Sequence, residues 1–382
     1  MTSDASPAAE WVSQLVRIPS VNPMQTGPKA GVAGEKALAE FVADRLDALG
    51  AQVEFEEDPD NPGRPNVYAV FPGESDRWVG LDVHTDTVGV EHMTVDPFDG
   101  RVEDGRVWGR GSVDTKASMG VMLSVLEELA REGRRPRPNL LVVGTISEEG
   151  GGLIGATVFG EWLRRRGLVL DELIVAEPTE CAPIYGHKGG VGMDITVLGR
   201  AAHTSKPELG ANAIEAAAAV ILALKAEHER LAGQSPRTEV GVGTLTTALV
   251  SGGSARNIVP DRCTLTVGRR LVPYETPDEV FAALRDLVER SCPLPVEVTA
   301  ISEGSPAFYQ SPDSTFIQTL AGWSGRPPET APYGTNALRY DGAAAEIAVL
   351  GPGSIDQAHA AVEWVEISEL EKLAGLYRRW LS

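Results

Sequence analysis

Hydrophobic positions recur along this chain in two rhythms. Residues 35–50 place Leu38, Phe41, Val42, Leu46 and Leu49 at helical spacing and end on Gly50, which predicts an amphipathic helix. Residues 116–131 repeat the pattern through Met119, Met122, Leu123, Leu126 and Leu129. Apolar runs at 78–83, 140–146 and 173–176 have the length of buried strands. Strands alternating with helices predict a largely parallel sheet covered on both faces. From residue 191 the rhythm changes: a strand at 191–198, an Ala-rich helix at 211–231, strands at 240–250 and 263–269, a helix at 277–290 and a strand at 296–301. That order is the split βαβ pattern of a small open-faced sandwich. A buried strand at 344–350 and a closing helix at 367–381 restore the first rhythm. The expected architecture is an α/β domain, mainly parallel sheet with helices on both faces, over residues 1–186 and 303–382. An inserted α+β open-faced sandwich would occupy 187–302.

A chain of 382 residues is long enough for two domains. Its 34 basic and 54 acidic residues give a formal charge of −20. Such a surface repels phosphate backbones and anionic lipid, so neither nucleic acid nor a membrane is an expected partner. No basic segment followed by an apolar run opens the chain, and no run reaches the ~18 apolar residues of a membrane span. The expectation is a cytoplasmic protein. Cys181, Cys263 and Cys292 are far apart, odd in number and without CxxC spacing, as expected of free thiols in a reducing compartment.

Polar residues cluster just past the ends of the apolar runs. His84 and Asp86 follow 81–83, Glu148 and Glu149 follow 140–146, Glu177 follows 173–176, and His359 follows the run ending at Leu350. In an open parallel sheet the carboxyl ends of the strands form the binding crevice, so these groups can meet. Several carboxylates and two histidines gathered there would repel one another without cations. Two divalent ions balance them, and zinc accepts imidazole nitrogen and carboxylate oxygen together. Taken singly, the elements are weak. His84-Thr85-Asp86 reads as surface decoration, Glu148-Glu149 as solvated charge, and Asp114 equally as an acid at a helix N-terminus.

Taken in order, the pieces are specific. His84-Thr85-Asp86, the stretch from Asp96-Pro97-Phe98 to Gly109-Arg110-Gly111-Ser112-Val113-Asp114-Thr115-Lys116, Ser147-Glu148-Glu149-Gly150, Glu177-Pro178-Thr179, and His359 with Glu363 four residues on all fit one pattern. So do residues 199–205 with Gly210-Ala211-Asn212-Ala213-Ile214. The chain resembles, over nearly its whole length, the two-zinc peptidase family of acetylornithine deacetylase, succinyl-diaminopimelate desuccinylase, aminoacylase and carboxypeptidase G. The resemblance implies a catalytic metal-binding domain interrupted by a lid and dimerisation domain. It implies two divalent ions, zinc first and cobalt second. His84 and Glu177 would bind one, Glu149 and His359 the other, and Asp114 would bridge them. Asp86 would orient His84, and Glu148 would be the general base. In a homodimer, His203 would reach the partner's active site and stabilise the oxyanion. Asn257 and Arg270 would grip the substrate carboxylate. The chain departs from the pattern at Gly268, where relatives often have Asp, at Arg269 beside Arg270, and at Ala117-Ser118, where relatives commonly have glycines. His92, His187 and His228 read as structural.

Residues 350–359 and Tyr333-Gly334-Thr335-Asn336-Ala337 lean towards the acetylornithine deacetylase branch, which puts Thr335 and Asn336 near the substrate. The implied reaction is hydrolysis of an N-acyl amino acid, N-acetylornithine foremost, as in arginine biosynthesis. Desuccinylation of succinyl-diaminopimelate, deacylation of related or carrier-linked lysine and ornithine, and dipeptide or carboxypeptide cleavage remain open. A catalytically silent protein binding amino-acid derivatives is the reading from another class. Against it stands the complete set of expected ligands together with Glu148.

Overall fold

A computed structural model describes residues 6–27, 34–150, 152–233 and 237–382. The chain forms two compact units. One comprises the residues up to Tyr185, Gln310–Glu329 and Thr335–Ser382; the other comprises Gly186–Tyr309 and Thr330–Gly334.

The first unit begins with helices α1 (Pro7–Val16) and α2 (Lys36–Ala48) and strands β1 (Gln52–Glu57), β2 (Pro65–Phe71) and β3 (Trp78–His84). Helix α3 (Lys116–Arg131), β4 (Asn139–Thr145), α4 (Ile154–Arg166), β5 (Leu170–Val175) and β6 (Ile184–His187) follow. In the second unit lie β7 (Gly189–Leu198), α5 (Ala213–Ala232), β8 (Thr244–Gly252), β9 (Arg262–Leu271), α6 (Pro277–Ser291) and β10 (Val296–Ala300). The chain then returns through α7 (Thr315–Ser324), β11 (Ala344–Val349) and α8 (Ile367–Trp380).

The large sheet runs β1-β2-β4-β3-β5-β11-β6. Its centre is parallel, β4 with β3, β3 with β5 and β5 with β11. Antiparallel strands close both sides, a common finish for an α/β sheet. Alternation along the strands sends side chains to two covered faces. Val67, Ala69, Val79, Leu81 and Val83 join a core with Leu38 and Val42 of α2 and Met122 and Val125 of α3. On β2, Tyr68 points the other way and stacks on Trp162 of α4, with centroids 4.7 Å apart. The expected α/β architecture is therefore present, with helices on both faces.

The second unit is an antiparallel sheet in the order β8-β9-β7-β10. Strand β7 alternates buried and half-buried positions along its whole length. Its inward Met193, Ile195 and Val197 pack with Val220 and Leu224 of α5 and Leu284 and Val288 of α6. This is the inserted open-faced sandwich. Its second strand in chain order, β8, starts later than residue 240, at Thr244, because Thr238 and Gly241 pair with each other across a tight turn, Gly241 at positive φ. Among the described residues no helix is long and apolar enough to cross a membrane.

Candidate metal centre

The parallel strands deliver their chemistry at one end. His84 is the last residue of β3, Glu148 and Glu149 follow β4, Glu177 follows β5, and the loop carrying His359 follows β11. Asp114 stands just before α3. The structure brings these six together. His84 Nε2 lies 3.0 Å from Asp114 Oδ1, and His359 Nε2 lies 3.3 Å from Asp114 Oδ2. His359 Nε2 is also 3.1 Å from Glu149 Oε1. Asp114 thus offers one oxygen to each histidine. Ligand atoms of His84, Glu148 and Glu177 lie within 4.8 Å of one another, as do those of His84, Asp114 and Glu149. His84, Asp114 and Glu177 are buried, Glu148 and Glu149 half-buried, and His359 exposed.

Asp86 touches His84 and also holds the neighbouring turn. It is the backbone carbonyl of Asp86 that meets His84 Nδ1, at 3.0 Å, while its carboxylate stands 3.7 Å from that nitrogen. The carboxylate instead accepts the backbone N–H groups of Glu148 and Glu149, each at 3.0 Å, and the Asn22 amide at 2.8 Å. Buried Glu35 accepts the N–H of Ser147 at 3.2 Å and is paired with Arg64. Two buried carboxylates therefore hold three consecutive N–H groups of the turn that carries Glu148 and Glu149. The sequence reading missed Glu35, Arg64 and Asn22. They lie far from this turn in the chain and carry no spacing signal.

The electrostatics show a shortage of positive charge. Burial, then the Asp114 charge, pushes Glu149 up to about 7 against the opposing His359 hydrogen bond. Burial and the neighbouring carboxylates push Glu148 and Glu177 well above the usual range. Burial would also raise Asp114, but its hydrogen bonds to His359 and His84 hold it below the usual range. Hydrogen bonds to Asp114 and Glu149 raise His359 to about 10. His84 is raised well above its ordinary value; burial opposes this, and Asp114 with the surrounding carboxylates outweighs it. Carboxylates gathered this closely call for positive charge to balance them, which the two histidines supply only in part. Imidazole nitrogens with carboxylate oxygens form a donor set suited to a zinc-like divalent ion. The His84 Nδ1 bond to a carbonyl leaves Nε2 for the metal, as ligating imidazoles require. The residues present fit a divalent metal.

Of the other candidate residues, three belong to the second unit and two to the first. His203 sits on an exposed turn of the second unit, its Nδ1 2.7 Å from Ser205 Oγ. Asn257 is exposed, and its carbonyl accepts the Thr204 N–H at 3.1 Å. Arg269 is buried and bound to Glu275 at 2.5 Å, whereas Arg270 is exposed. Thr335 and Asn336 are buried in the first unit. Asn336 Nδ2 donates to Asp82 Oδ2 and Thr145 Oγ1, each at 3.0 Å, so that nitrogen is committed to the interior. Tyr340 OH donates to the same Asp82 oxygen at 2.6 Å.

Fold and site define a metal-dependent hydrolase acting on linear amides, and comparison with known proteins agrees. Residues 80–382 match peptidase family M20/M25/M40, and the chain belongs to that family. It is 28% identical to the acetylornithine deacetylase of Proteus mirabilis over 369 residues, covering 95% of this chain and 92% of that one. It is 29% identical to the succinyl-diaminopimelate desuccinylase of Methylobacterium radiotolerans, covering 98% and 96%. Among solved structures, an M20 family metallo-carboxypeptidase from Sulfolobus solfataricus superposes with a TM-score of 0.76 at 17% identity, covering 98% of both chains.

Proposed function

We propose that this hydrolase removes the acyl group from an N-acyl amino acid, with N-acetylornithine as the foremost substrate. The observation that carries the reading is Asp114 placed between two histidines, with Glu148 beside the same cluster. Similarity to acetylornithine deacetylase along most of both chains supports the substrate. His84 and Glu177 would hold one divalent ion, Glu149 and His359 a second, and Asp114 both. Zinc is the first candidate and cobalt the second. Such ions supply Lewis acidity towards an amide carbonyl and ease deprotonation of water near neutral pH.

The chain's own groups do the rest. Glu148 accepts a proton from the attacking water at its carboxylate and returns it to the leaving amine. The Asp86 carboxylate, through the Glu148 and Glu149 N–H groups, keeps that turn in place. His203 donates to the developing oxyanion, and Arg270 with Asn257 grips the substrate carboxylate. Arg270 suits this better than Arg269, whose guanidinium already serves Glu275. Thr335 and Asn336 influence substrate choice through their loop, which Asn336 anchors on Asp82.

A homodimer through the second unit completes the reading, with His203 working in the partner's site. Support comes from exposed apolar side chains on that unit. Leu222 of α5 is 67% exposed, and Leu249 and Val250 of the sheet-edge strand β8 are 66% and 63% exposed. An exposed apolar edge invites association.

Specificity constants for N-acetylornithine, N-succinyl-diaminopimelate, N-acetylmethionine and a simple dipeptide test the substrate. N-acetylornithine is expected to lead. A lead of more than about tenfold for the desuccinylase substrate or the dipeptide, ~1.4 kcal/mol in transition-state binding, overturns the deacetylase reading.

A further inference from the structure

We infer that Arg110 and Glu363 form a buried positioning pair that fixes Asp114 and the His359 segment relative to each other. Both side chains are almost fully enclosed, at 1% and 0% exposure. Arg110 Nη1 donates to Glu363 Oε2 at 2.5 Å. The other carboxylate oxygen, Oε1, accepts the backbone N–H of Val113 at 3.0 Å and of Asp114 at 3.2 Å. Glu363 therefore holds the backbone of the residue that faces both histidines.

Arg110 works on the other side. Its Nη2 donates to the carbonyl of Ala360 at 3.2 Å and to that of Gly89 at 3.4 Å. Ala360 adjoins His359, whose own carbonyl is met by His92 Nε2 at 2.9 Å. His359 has φ of 60°, a left-handed conformation that a non-glycine residue adopts only when its surroundings hold it there. The His359 side chain is exposed, so packing alone does not fix its ring. One ion pair, joining residues 253 positions apart, thus bonds to the backbones beside two ligand candidates. A buried pair of this kind is weak support for stability, and its use lies in the geometry it fixes: both Glu363 oxygens and both Arg110 Nη atoms are bonded, and only Arg110 Nε has no partner among the described residues.

The inference rests on the proposed metal reading and is tested through zinc binding rather than turnover alone. Stepwise zinc affinity of the full-length protein is measured by chelator competition for wild type, Glu363→Ala, Glu363→Gln and Arg110→Lys. Glu363→Ala is expected to weaken the weaker zinc equivalent by ~10–100-fold, the range for groups that orient ligands. Glu363→Gln keeps an oxygen for the Val113 and Asp114 N–H groups and should recover part of that loss. In turnover, kcat should fall while KM moves less than about threefold, because substrate contacts are untouched. Leu46→Ala, a core truncation in α2, supplies destabilisation without touching the pair and should leave zinc affinity unchanged. Should Glu363→Ala fail to fold, Glu363→Gln and Arg110→Lys carry the same comparison, each with weakened zinc binding. Wild-type zinc affinity and kcat in the folded variants would overturn the positioning role and leave the metal reading intact. Wild-type protein that binds no divalent metal would overturn both.

Discussion

In the first unit, Asp114 is 5% exposed and its two oxygens face two histidines that arrive from opposite ends of the chain. In the second unit, His203, Asn257 and Arg270 are all exposed, and the bonds of the first two are to near neighbours on their own unit. The contrast separates two ways of building a site. Strand ends, buried carboxylates and backbone N–H groups preorganise the metal cluster before any ligand arrives, which is how a catalytic constellation keeps its geometry. The exposed trio is fixed only as far as its local turns fix it. In the proposed mechanism such residues would contribute once substrate or a second subunit orders them.

The comparison is broken most sharply at Glu148. Glu148→Gln should lower kcat by ~10²–10⁴-fold, the scale of general acid–base catalysis, with the metal content unchanged. Near-normal turnover, or loss of metal along with activity, would remove Glu148 from the proton-transfer role. His203→Ala should cost ~10²–10³-fold in kcat, as removal of an oxyanion donor does, again without loss of metal. Mixing it with Glu148→Ala protein sharpens the point. Hybrid dimers should regain activity at the one site that combines an intact Glu148 with the partner's intact histidine. Verified subunit exchange without recovery would show that His203 does not act across an interface. The smallest effect on the chain itself is expected from Leu249→Asp at the exposed strand edge. Its thermal stability should change by no more than ~0.5 kcal/mol as a monomer, while light scattering should show weakened self-association. An unaltered dimer would place the interface elsewhere.

Much of this was legible in the sequence, and the same contrast explains what was not. Helix α3 begins and ends where its apolar spacing predicts, because a strongly periodic face leaves little choice. His84, Glu149 and Glu177 could be located because parallel strands expose their carboxyl ends together. Helix α4 lies outside the elements read from periodicity. Two glycines dilute its pattern, and one of them, Gly155, is there for close approach: a Cβ would stand 2.4 Å from the backbone of Ile146. The supports of the cluster were likewise hidden. Glu35 reaches Ser147 across 112 positions and Asn336 reaches Asp82 across 254. Such bonds leave no local spacing to read. Asp86 shows a finer limit. Its place beside His84 was readable, but the division between its carbonyl, which meets His84, and its carboxylate, which holds the glutamate turn, depends on backbone geometry.

The central claim is that the cluster acts through divalent metal. It is tested most directly by elemental analysis of the purified protein paired with release of acetate from N-acetylornithine before and after exhaustive chelation. The account predicts two divalent ions per chain, no release once they are removed, and recovery on adding zinc or cobalt. Full acetate release from protein with no residual metal would contradict it.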